Sequence, residues 1–553
     1  MYFESDNIRK LKRTAKLLAV LSKYGFEEIL ERIQLAKIIP NNLKEKSEKL
    51  SEVLSLSVYE RVRMALEELG PAYVKLGQMF SNRADLLPKE LINELQKLQD
   101  KIGQEPVNVK EKLANELRID PNDYFEWIEE KPLASASIAQ VFKAMLKNKN
   151  LVVLKIKREN IREIIECDLL ILKDLANVLE SYNENYKNIN LSYILKIFDE
   201  SIHKELSLAN ELNNIERFKR NFNNNIHVHV PTVYKELSND NILCMEFING
   251  IKVTEKDKIE EASLDVKHIA VEGFVLYVQQ VLEYGFFHAD PHPGNIFVTF
   301  NGKIAFIDFG SMGTLLPKER ELLEDFLYYL LQKNTKKLIV TIKKIAIDYA
   351  VSNEKQLERD VYEIMDIVDK NSLKSINLSL IVDRLRFIFS HNKITLPEHF
   401  YLLLKGITQI EGIVRHLDPD LDVFQLTEQY AQDIFIRRIS PKYLFSKGLS
   451  AINNLSENLM SLPVEVRNVL QKLNNNEIKL THEIPALFEL QKSADRLVLA
   501  MIISALSIGS AVLVMADMPP KLFGVPILGF LGFTFSGAIG IYIVISLIKS
   551  KKK

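Results

Sequence analysis

Apolar residues recur at helical spacing over most of residues 8–125, and then the period shortens to that of strands in IAQVFKAML, LVVLKIKR, VHVPTVYKE and ILCMEFI. A long helical pattern, about 160–222, is inserted among those strands. After Leu264 the pattern is helical to Tyr284, becomes a β-type hairpin inside Phe286–Gly313, and is helical again to about Leu490. These periods predict an α+β chain with a small sheet-rich lobe ahead of a larger helical lobe. The expected division is a helical extension over 1–125, the sheet-rich lobe with its helical insertion over 126–250, the helical lobe over 251–430, a helical linker over 431–496, and a terminal apolar hairpin over 497–549.

The end of the chain changes solvent. Leu497–Met515 and Val525–Ile548 carry no charge, and each reaches the roughly 20 residues that cross a hydrocarbon core of about 30 Å. ADMPPKLFG between them holds a Pro pair suited to a reversal. Lys492 and Arg496 flank one side and Lys549 and Lys551–Lys553 the other, so the positive-inside rule keeps both flanks cytoplasmic. The expectation is a multi-pass protein of the cytoplasmic (inner) membrane, with lipids around a two-helix hairpin. The plainer alternative, two buried helices of a soluble core, is disfavoured by such lengths without charge. Gly532, Ser536 and Gly540 form a small-residue stripe for close packing, either within the hairpin or between two copies in a homodimer. The N-terminal MYFESDNIRKLKRTAKLLAV has charges where a signal peptide needs an unbroken apolar run, so secretion is not expected.

Charge and cysteine content exclude other classes. The 72 basic and 73 acidic residues nearly cancel, so no overall field points to nucleic acid. Cys167 and Cys244, the two cysteines, lack metal-type spacing and read as small packed side chains in a reducing cytosol.

Candidate chemistry concentrates in Phe286–Gly313, FFHADPHPGNIFVTFNGKIAFIDFGSMG. His288, Asp290 and His292 alternate as metal ligands could, but Pro291 and Pro293 interrupt the run and no further His or Cys pair stands nearby. A hairpin turning at Asn301-Gly302 accounts for the apolar positions only. A phosphate site accounts for both sets: in kinase chemistry a catalytic-loop Asp is followed at the fifth position by a Mg²⁺-binding Asn, and a hairpin later by the Mg²⁺-binding Asp of DFG. Asp290, Asn295 and Asp308-Phe309-Gly310 keep that order, and a hairpin would bring Asn295 and Asp308 back to one ion. Upstream, Ala134-Ser135-Ala136-Ser137-Ile138-Ala139-Gln140-Val141 follows the GxGxxGxV frame with alanine at each glycine position, and Val152-Val153-Leu154-Lys155 stands where V-A-I-K is expected. Four elements in order outweigh an origin in packing alone. The expected fold is therefore protein-kinase-like and bilobal, with ATP or ADP and Mg²⁺ as cofactors.

With the alanine-rich loop, the form HADPHPGN and the terminal hairpin, the chain resembles the UbiB family of atypical kinase-like proteins, also called the aarF-domain family, from about Ala65 onward. The family's KxGQ helix is matched by Lys75, Gly77 and Gln78 in PAYVKLGQMFSNRADLLP. The resemblance implies that Lys155 contacts the phosphates, that Asn295 and Asp308 bind Mg²⁺, and that Asp290 stands where a kinase's catalytic base would. It implies that the loop Ala134–Ala139 covers the phosphates, favours ADP and restrains transfer. It also implies that Lys75 and Gln78 have a regulatory or unusual catalytic part; taken alone, the tetrapeptide would read as an amphipathic helix with a solvated lysine. The family's ExD carries a later Glu; here Glu205 and Glu211 are present, but Ser207 holds the Asp position. Glu211 is assigned to the ion pair with Lys155. Glu166-Cys167-Asp168 is read as part of a solvated helix face. Adenine is placed by position against the strand CMEFI, with Glu246 to Ile248 offering backbone groups at the lobe junction, and Val141 is counted with the nucleotide loop. A metal role for His227 or His229 is disfavoured.

The functional expectation is a membrane-anchored enzyme that hydrolyses ATP, or phosphorylates a small or lipid-like molecule, in support of isoprenoid quinone biosynthesis. Prenylated precursors and the enzymes that process them would be its partners. The alternatives are a nucleotide-gated scaffold without turnover, against which Asp290, Asn295 and Asp308 argue, and a protein kinase. The last is disfavoured because no APE follows DFG and because the KxGQ helix would obstruct a peptide.

Overall fold

The computed structural model describes residues 6–27, 53–83, 86–98, 106–182, 190–370, 378–427, 503–512, 514–515, 521–522 and 525–550. The chain forms two units, Met1–Tyr443 and Leu444–Lys553.

The first unit opens with helices α1 (Asp6–Lys23), α2 (Val58–Leu69), α3 (Pro71–Phe80) and α4 (Lys89–Leu95). A capping box of Ser57 and Glu60 starts α2; Gly70, at φ +111°, ends it, and Pro71 begins α3 at once. α3 carries the KxGQ residues and lies close to its neighbours because Gly77 has no side chain. A Cβ there would stand 2.4 Å from Leu98 Cδ1 and 3.0 Å from Leu66 Cδ1.

Helix α5 (Val109–Leu117) then leads into an antiparallel sheet of β1 (Phe125–Ile128), β2 (Ala134–Ser135), β3 (Ala139–Leu146), β4 (Leu151–Lys157) and β6 (Ile242–Glu246), ordered β1-β3-β4-β6 with β2 on β3. The two-residue period of β4 sends Val152, Leu154 and Ile156 to a core shared with Phe142, Cys244 and Leu113. Val153 and Lys155 therefore face the other way.

The inserted helical stretch resolves into α6 (Ile161–Tyr182), α7 (Leu191–Leu206) and α8 (Leu208–Asn221). Ile165 and Leu169 of α6 and Phe198 and Ile202 of α7 bury against Leu17, Leu69, Ala72 and Tyr73 of the N-terminal helices. The reading of Asp168 as solvated is corrected here. Its carboxylate is fully buried and accepts from Arg13, with Nε at 2.8 Å and Nη2 closer, because α1 lies on that face of α6. Burial pushes the Asp168 carboxyl up and Arg13 opposes it. Glu166, by contrast, meets His203 near the surface.

The predicted strand VHVPTVYKE shrinks to β5 (Val228–His229), since Pro231 lacks a donor and Lys235–Leu237 turns as a 3₁₀ helix. β5 also changes sheet: it pairs parallel with β10 in the order β5-β10-β9-β7, where β7 is Gly250–Lys252, β9 Ile296–Thr299 and β10 Ile304–Phe306. The larger lobe continues with α9 (Val266–Val278), the pair β8 (Phe286–His288) and β11 (Met312–Thr314), and α10 (Pro317–Leu331), α11 (Thr335–Ile345), α12 (Glu354–Lys370), α13 (Leu378–His391) and α14 (Glu398–Leu417). Its core joins Phe218, Phe274, Phe286, Phe306, Phe309 and Tyr401.

In the second unit α15 spans Ile527–Ser550. Its small residues meet the helical segment 503–512: Ser536 Oγ lies 3.0 Å from Ser507 Oγ, and a Cβ on Gly532 would stand 2.0 Å from Ser510 Oγ. Two members of the stripe are thus used within the chain, while nothing lies within 4 Å of the position a Gly540 Cβ would take. Among the described residues no helix is long and apolar enough to cross a membrane. Residues 497–502 and 513, and the side chains of 541–548, fall within the expected spans but outside the described residues, as do 516–520 and 523–524 of the connection and the linker 431–496.

Candidate nucleotide-binding site

The site begins with the outward face of β4. Lys155 Nζ lies 2.8 and 2.9 Å from the two carboxylate oxygens of Glu211 on α8 and 3.5 Å from Asp308. α8 can begin where it does because Ser207 ends α7 and caps α8, its Oγ accepting from the Asn210 N–H at 3.3 Å. The same hydroxyl donates to Asp240 at 2.5 Å, and Asp240 accepts from Lys157 and Arg162 at 2.8 and 3.1 Å. The carboxylate absent at position 207 thus has a spatial neighbour in Asp240, which sequence reasoning missed because it lies 33 residues away.

The hairpin returns the chain, though not through the two-residue Asn301-Gly302 turn expected: Phe300, Asn301 and Gly302 form a three-residue loop in which the Gly302 N–H donates to the Thr299 carbonyl at 2.8 Å and the Thr299 N–H to the Lys303 carbonyl at 2.9 Å. Gly302 sits at φ +78°, β9 and β10 pair Ile296 with Phe306, and the Ile307 N–H donates to the Asn295 carbonyl at 3.0 Å, which brings Asn295 beside Asp308. Phe309 is fully buried edge-on to Phe218 at 5.2 Å. Its N–H donates to Glu211 at 3.2 Å and its carbonyl accepts from Asn214 at 2.9 Å, so α8 holds both ends of that peptide.

His288 ties the two acidic segments together. It is buried, and that burial lowers its pKa, so the ring is neutral; Nε2–H donates to the Asp308 carbonyl at 2.7 Å and Nδ1 accepts the Asp290 N–H at 3.2 Å. Both nitrogens are committed, and His292 is exposed and accepts the Gly294 N–H, so the alternating HxDxH residues do not converge as ligands.

Three ammonium–carboxylate pairs line the site: Lys155 with Glu211, Lys75 with Glu205 at 2.5 Å, and Lys405 with Asp290 at 2.9 Å. Asp308 is the further carboxylate, with 41% of its side chain exposed. Burial opposes ionisation of Asp308, but Lys155, the Gly310 N–H at 2.9 Å and Lys75 outweigh it and hold the carboxyl far below the ordinary range. Burial likewise pushes Glu211 up, to about 7, against the pull of Lys155, while Asp308 and Glu211 keep Lys155 protonated. A cation-ready carboxylate beside an amide side chain is what a hard ion such as Mg²⁺ binds, and Asp308 and Asn295 would hold it.

The alanine loop is pinned from behind: Arg158 donates to the Ala136 carbonyl at 3.0 Å and to Ser135 Oγ at 2.8 Å, and the Ala136 N–H donates to the Ala139 carbonyl at 2.9 Å. Ala134 and Ser135 form β2, and Val141 pairs in register with Lys155. The expected contact through the Ile138 side chain needs correction. Ile138 is buried in the core against the N-terminal helices and Ser137 is buried with it, so the Ile138 side chain serves packing. At the lobe junction the Glu246 N–H donates to the Thr232 carbonyl and the Phe247 N–H to Leu151, while the Glu246 carboxylate accepts from His229 and Thr232; Ile248 is buried. Strand pairing has taken the Glu246 and Phe247 N–H donors. Gln78 reaches the Leu98 carbonyl at 3.4 Å, on the side where α3 meets the segment after α4. His227, His268 and Glu272 bring one ligand atom each within 4.8 Å of the others, a group that spacing along the chain could not reveal.

The fold and this cleft define an atypical kinase-like protein. Residues 97–342 match the ABC1 atypical kinase-like domain, residues 361–422 the UbiB helical domain and residues 483–549 the ABC1/UbiB kinase-like C-terminal domain. The chain is 31% identical to an uncharacterised protein in the hydrogenase 1 5′ region of Clostridium pasteurianum, over 99% of both chains. It is 31% identical to a probable protein kinase UbiB of Pseudomonas putida, over 83% of this chain and 84% of that one. It is 29% identical to the chloroplastic protein Activity of bc1 complex kinase 7 of Arabidopsis thaliana, over 76% of this chain and 61% of that one. The chain belongs to the UbiB family.

Proposed function

We propose that the protein is a membrane-anchored Mg²⁺-nucleotide enzyme that hydrolyses ATP, or transfers its terminal phosphoryl to a small or lipid-like molecule, in support of isoprenoid quinone biosynthesis. The observation that carries this reading is Lys155 set between Glu211 and Asp308, with Asn295 brought alongside by the hairpin. Those residues supply a phosphate-binding ammonium, its helix-borne anchor and an ion-binding pair, the parts phosphoryl transfer needs. Asp290 stands as the group that orients the nucleophile, and Lys75 with Glu205 borders the cleft. The Ala134–Ala139 loop, braced by Arg158, would lie over the phosphates and favour ADP.

The apolar segments 497–515 and 525–548 support an anchor in the cytoplasmic membrane with both flanks inside, which would keep the enzyme near prenylated precursors confined to lipid. The quinone connection comes from the resemblance to the family, and an anchor of this kind agrees with it.

The test is Mg²⁺-dependent phosphate release from ATP by the full chain in lipid vesicles, with and without a phenolic quinone-precursor mimic. Release abolished by Asp308→Asn supports an enzyme. Nucleotide binding with no release above that variant would instead indicate a nucleotide-gated scaffold for membrane enzymes.

A further inference from the structure

Two histidines and a glutamate meet where helix α9 crosses the β5 edge of the hairpin sheet. His268 and Glu272 stand one turn apart on α9 and so share a face of it, while His227 lies just before β5. One ligand atom of each lies within 4.8 Å of the others. His227 Nδ1 is 3.9 Å from Glu272 Oε2, and the two imidazoles meet edge to face with their centroids 5.6 Å apart.

The backbone around this group is fixed by other bonds. The His227 N–H donates to Asn225 Oδ1 at 2.8 Å, and the His227 carbonyl accepts from the Ile304 N–H of β10 at 2.8 Å. Asp265 caps α9, its Oδ1 accepting from the N–H groups of Lys267 and His268 at 2.9 and 3.2 Å. Beside Glu272 the helix comes close to the sheet, since a Cβ on Gly273 would stand 3.6 Å from Ile304 Cδ1. The three side chains are left over from this scaffold: among the described residues neither imidazole, nor the Glu272 carboxylate, makes a hydrogen bond.

Distance decides what such a group suits. A hydrogen-bonded imidazole–carboxylate pair would close to about 2.7 to 3.2 Å, and His227 and Glu272 do not reach it. Ligands on one tetrahedral ion, each about 2.0 to 2.1 Å from the metal, lie about 3.3 Å from one another. Rotation of the side chains closes the remaining gap. His227 and Glu272 are 37% and 22% exposed and His268 is exposed, which leaves freedom for that rotation and room for water as a fourth ligand. Two imidazoles with one carboxylate select a borderline transition ion over Mg²⁺, which takes oxygen ligands.

We propose that His227, His268 and Glu272 form a site for a zinc-class divalent ion that staples α9 to the β5–β10 edge. The expectation that His227 has no metal role is thereby reversed, because its two partners lie on a helix that follows much later in the chain; His229 remains outside the site, with Nε2 2.9 Å from Glu246. α9 leads through the turn 279–283 into β8 and on to Asp290, and β10 leads into Asp308. The staple therefore joins, at their far ends, the two segments that deliver those aspartates. It stands independently of the nucleotide reading.

The experiment uses the full chain in vesicles, stripped of metal and titrated with Zn²⁺ against a chromophoric chelator, and with Co²⁺ followed by its visible spectrum. Wild type is compared with His268→Ala, His227→Gln, Glu272→Gln and Asp308→Asn, each checked for native circular dichroism. Wild type and Asp308→Asn should bind one Zn²⁺ with equal affinity and give the intense Co²⁺ bands of a tetrahedral site, whereas loss of any of the three ligands should weaken binding at least about 100-fold. Zn²⁺ at about 100 times its Kd should raise the thermal midpoint of wild type by several degrees and leave that of His268→Ala where it was. The proposal is overturned by a wild-type chain that takes up no Zn²⁺ at micromolar concentrations, by wild-type affinity in natively folded ligand variants, or by binding lost in Asp308→Asn instead, which would put the ion in the cleft. Zn²⁺ bound with no rise in the midpoint would overturn the staple.

Discussion

Glu211 Oε1 accepts the backbone N–H of Phe309 at 3.2 Å while its carboxylate holds Lys155, so one side chain of α8 joins the strand that carries Lys155 to the segment that carries Asp308. Because Glu211 has 2% of its side chain exposed, the junction lies in a low-dielectric setting where geometry is held firmly.

That junction should respond to pH. The Glu211 carboxyl is raised by burial to about 7, above the ordinary unfolded value near 4.3. A raised folded pKa means the native state holds the proton more tightly, so this group's contribution is fully present below about 4.3 and is lost as pH rises through about 7. In the nucleotide-free protein, Glu211→Gln should flatten the fall in stability between those limits, as read by urea denaturation at a series of pH values.

Asp308 responds in the opposite sense. Its folded pKa is depressed, so its ionised form favours the native state at every pH above the unfolded value near 3.9, and that contribution disappears only in strong acid. Asp308→Asn should remove the effect of Mg²⁺ on nucleotide affinity; titration calorimetry with and without the ion measures this. An unchanged Mg²⁺ dependence would place the ion elsewhere.

Arg13 and Asp168 pin α1 to α6 through a buried pair. Asp168→Ala leaves the guanidinium without its partner and should cost about 3 to 5 kcal/mol, whereas Arg13→Met with Asp168→Leu should cost much less, because no charge is then left buried and unpaired. Chemical denaturation of Arg13→Met, Asp168→Leu and the double variant gives the coupling directly.

Gly406→Ala adds a methyl group where the Tyr277 hydroxyl already sits. Overpacking of this kind costs about 1 to 3 kcal/mol, and the shift of α14 should also draw Lys405 and Gln409 off Asp290. The expected signature is a lowered thermal midpoint together with a lowered kcat at nearly unchanged Mg-ADP affinity.

Ser207→Asp restores the family's acidic residue but meets Asp240, which now accepts a hydrogen bond from the serine hydroxyl. Two carboxylates would then face each other, so the variant should be less stable than wild type, with Ser207→Asn nearer to it; thermal melts compare the three.

What the sequence by itself determined is whatever depends on neighbours along the chain. The two-residue period of LVVLKIK put Lys155 on the face opposite Leu154, the turn containing Asn301-Gly302 returned Asp308 to Asn295, and the spacing of Asp290 and Asn295 marked the cleft. The apolar runs near the end were equally plain as runs, since hydropathy is local. The tertiary structure alone decided which distant groups meet. Asp168 looked solvated until α1 covered it, β5 left one sheet for another, and Ile138 turned into the core beneath the helical extension. Lys405 and Gln409 look like ordinary polar positions on an amphipathic helix; they acquire chemical meaning only where Gly406 lets α14 close on Asp290, because electrostatics and hydrogen bonds act over a few ångströms of space whatever the separation in sequence.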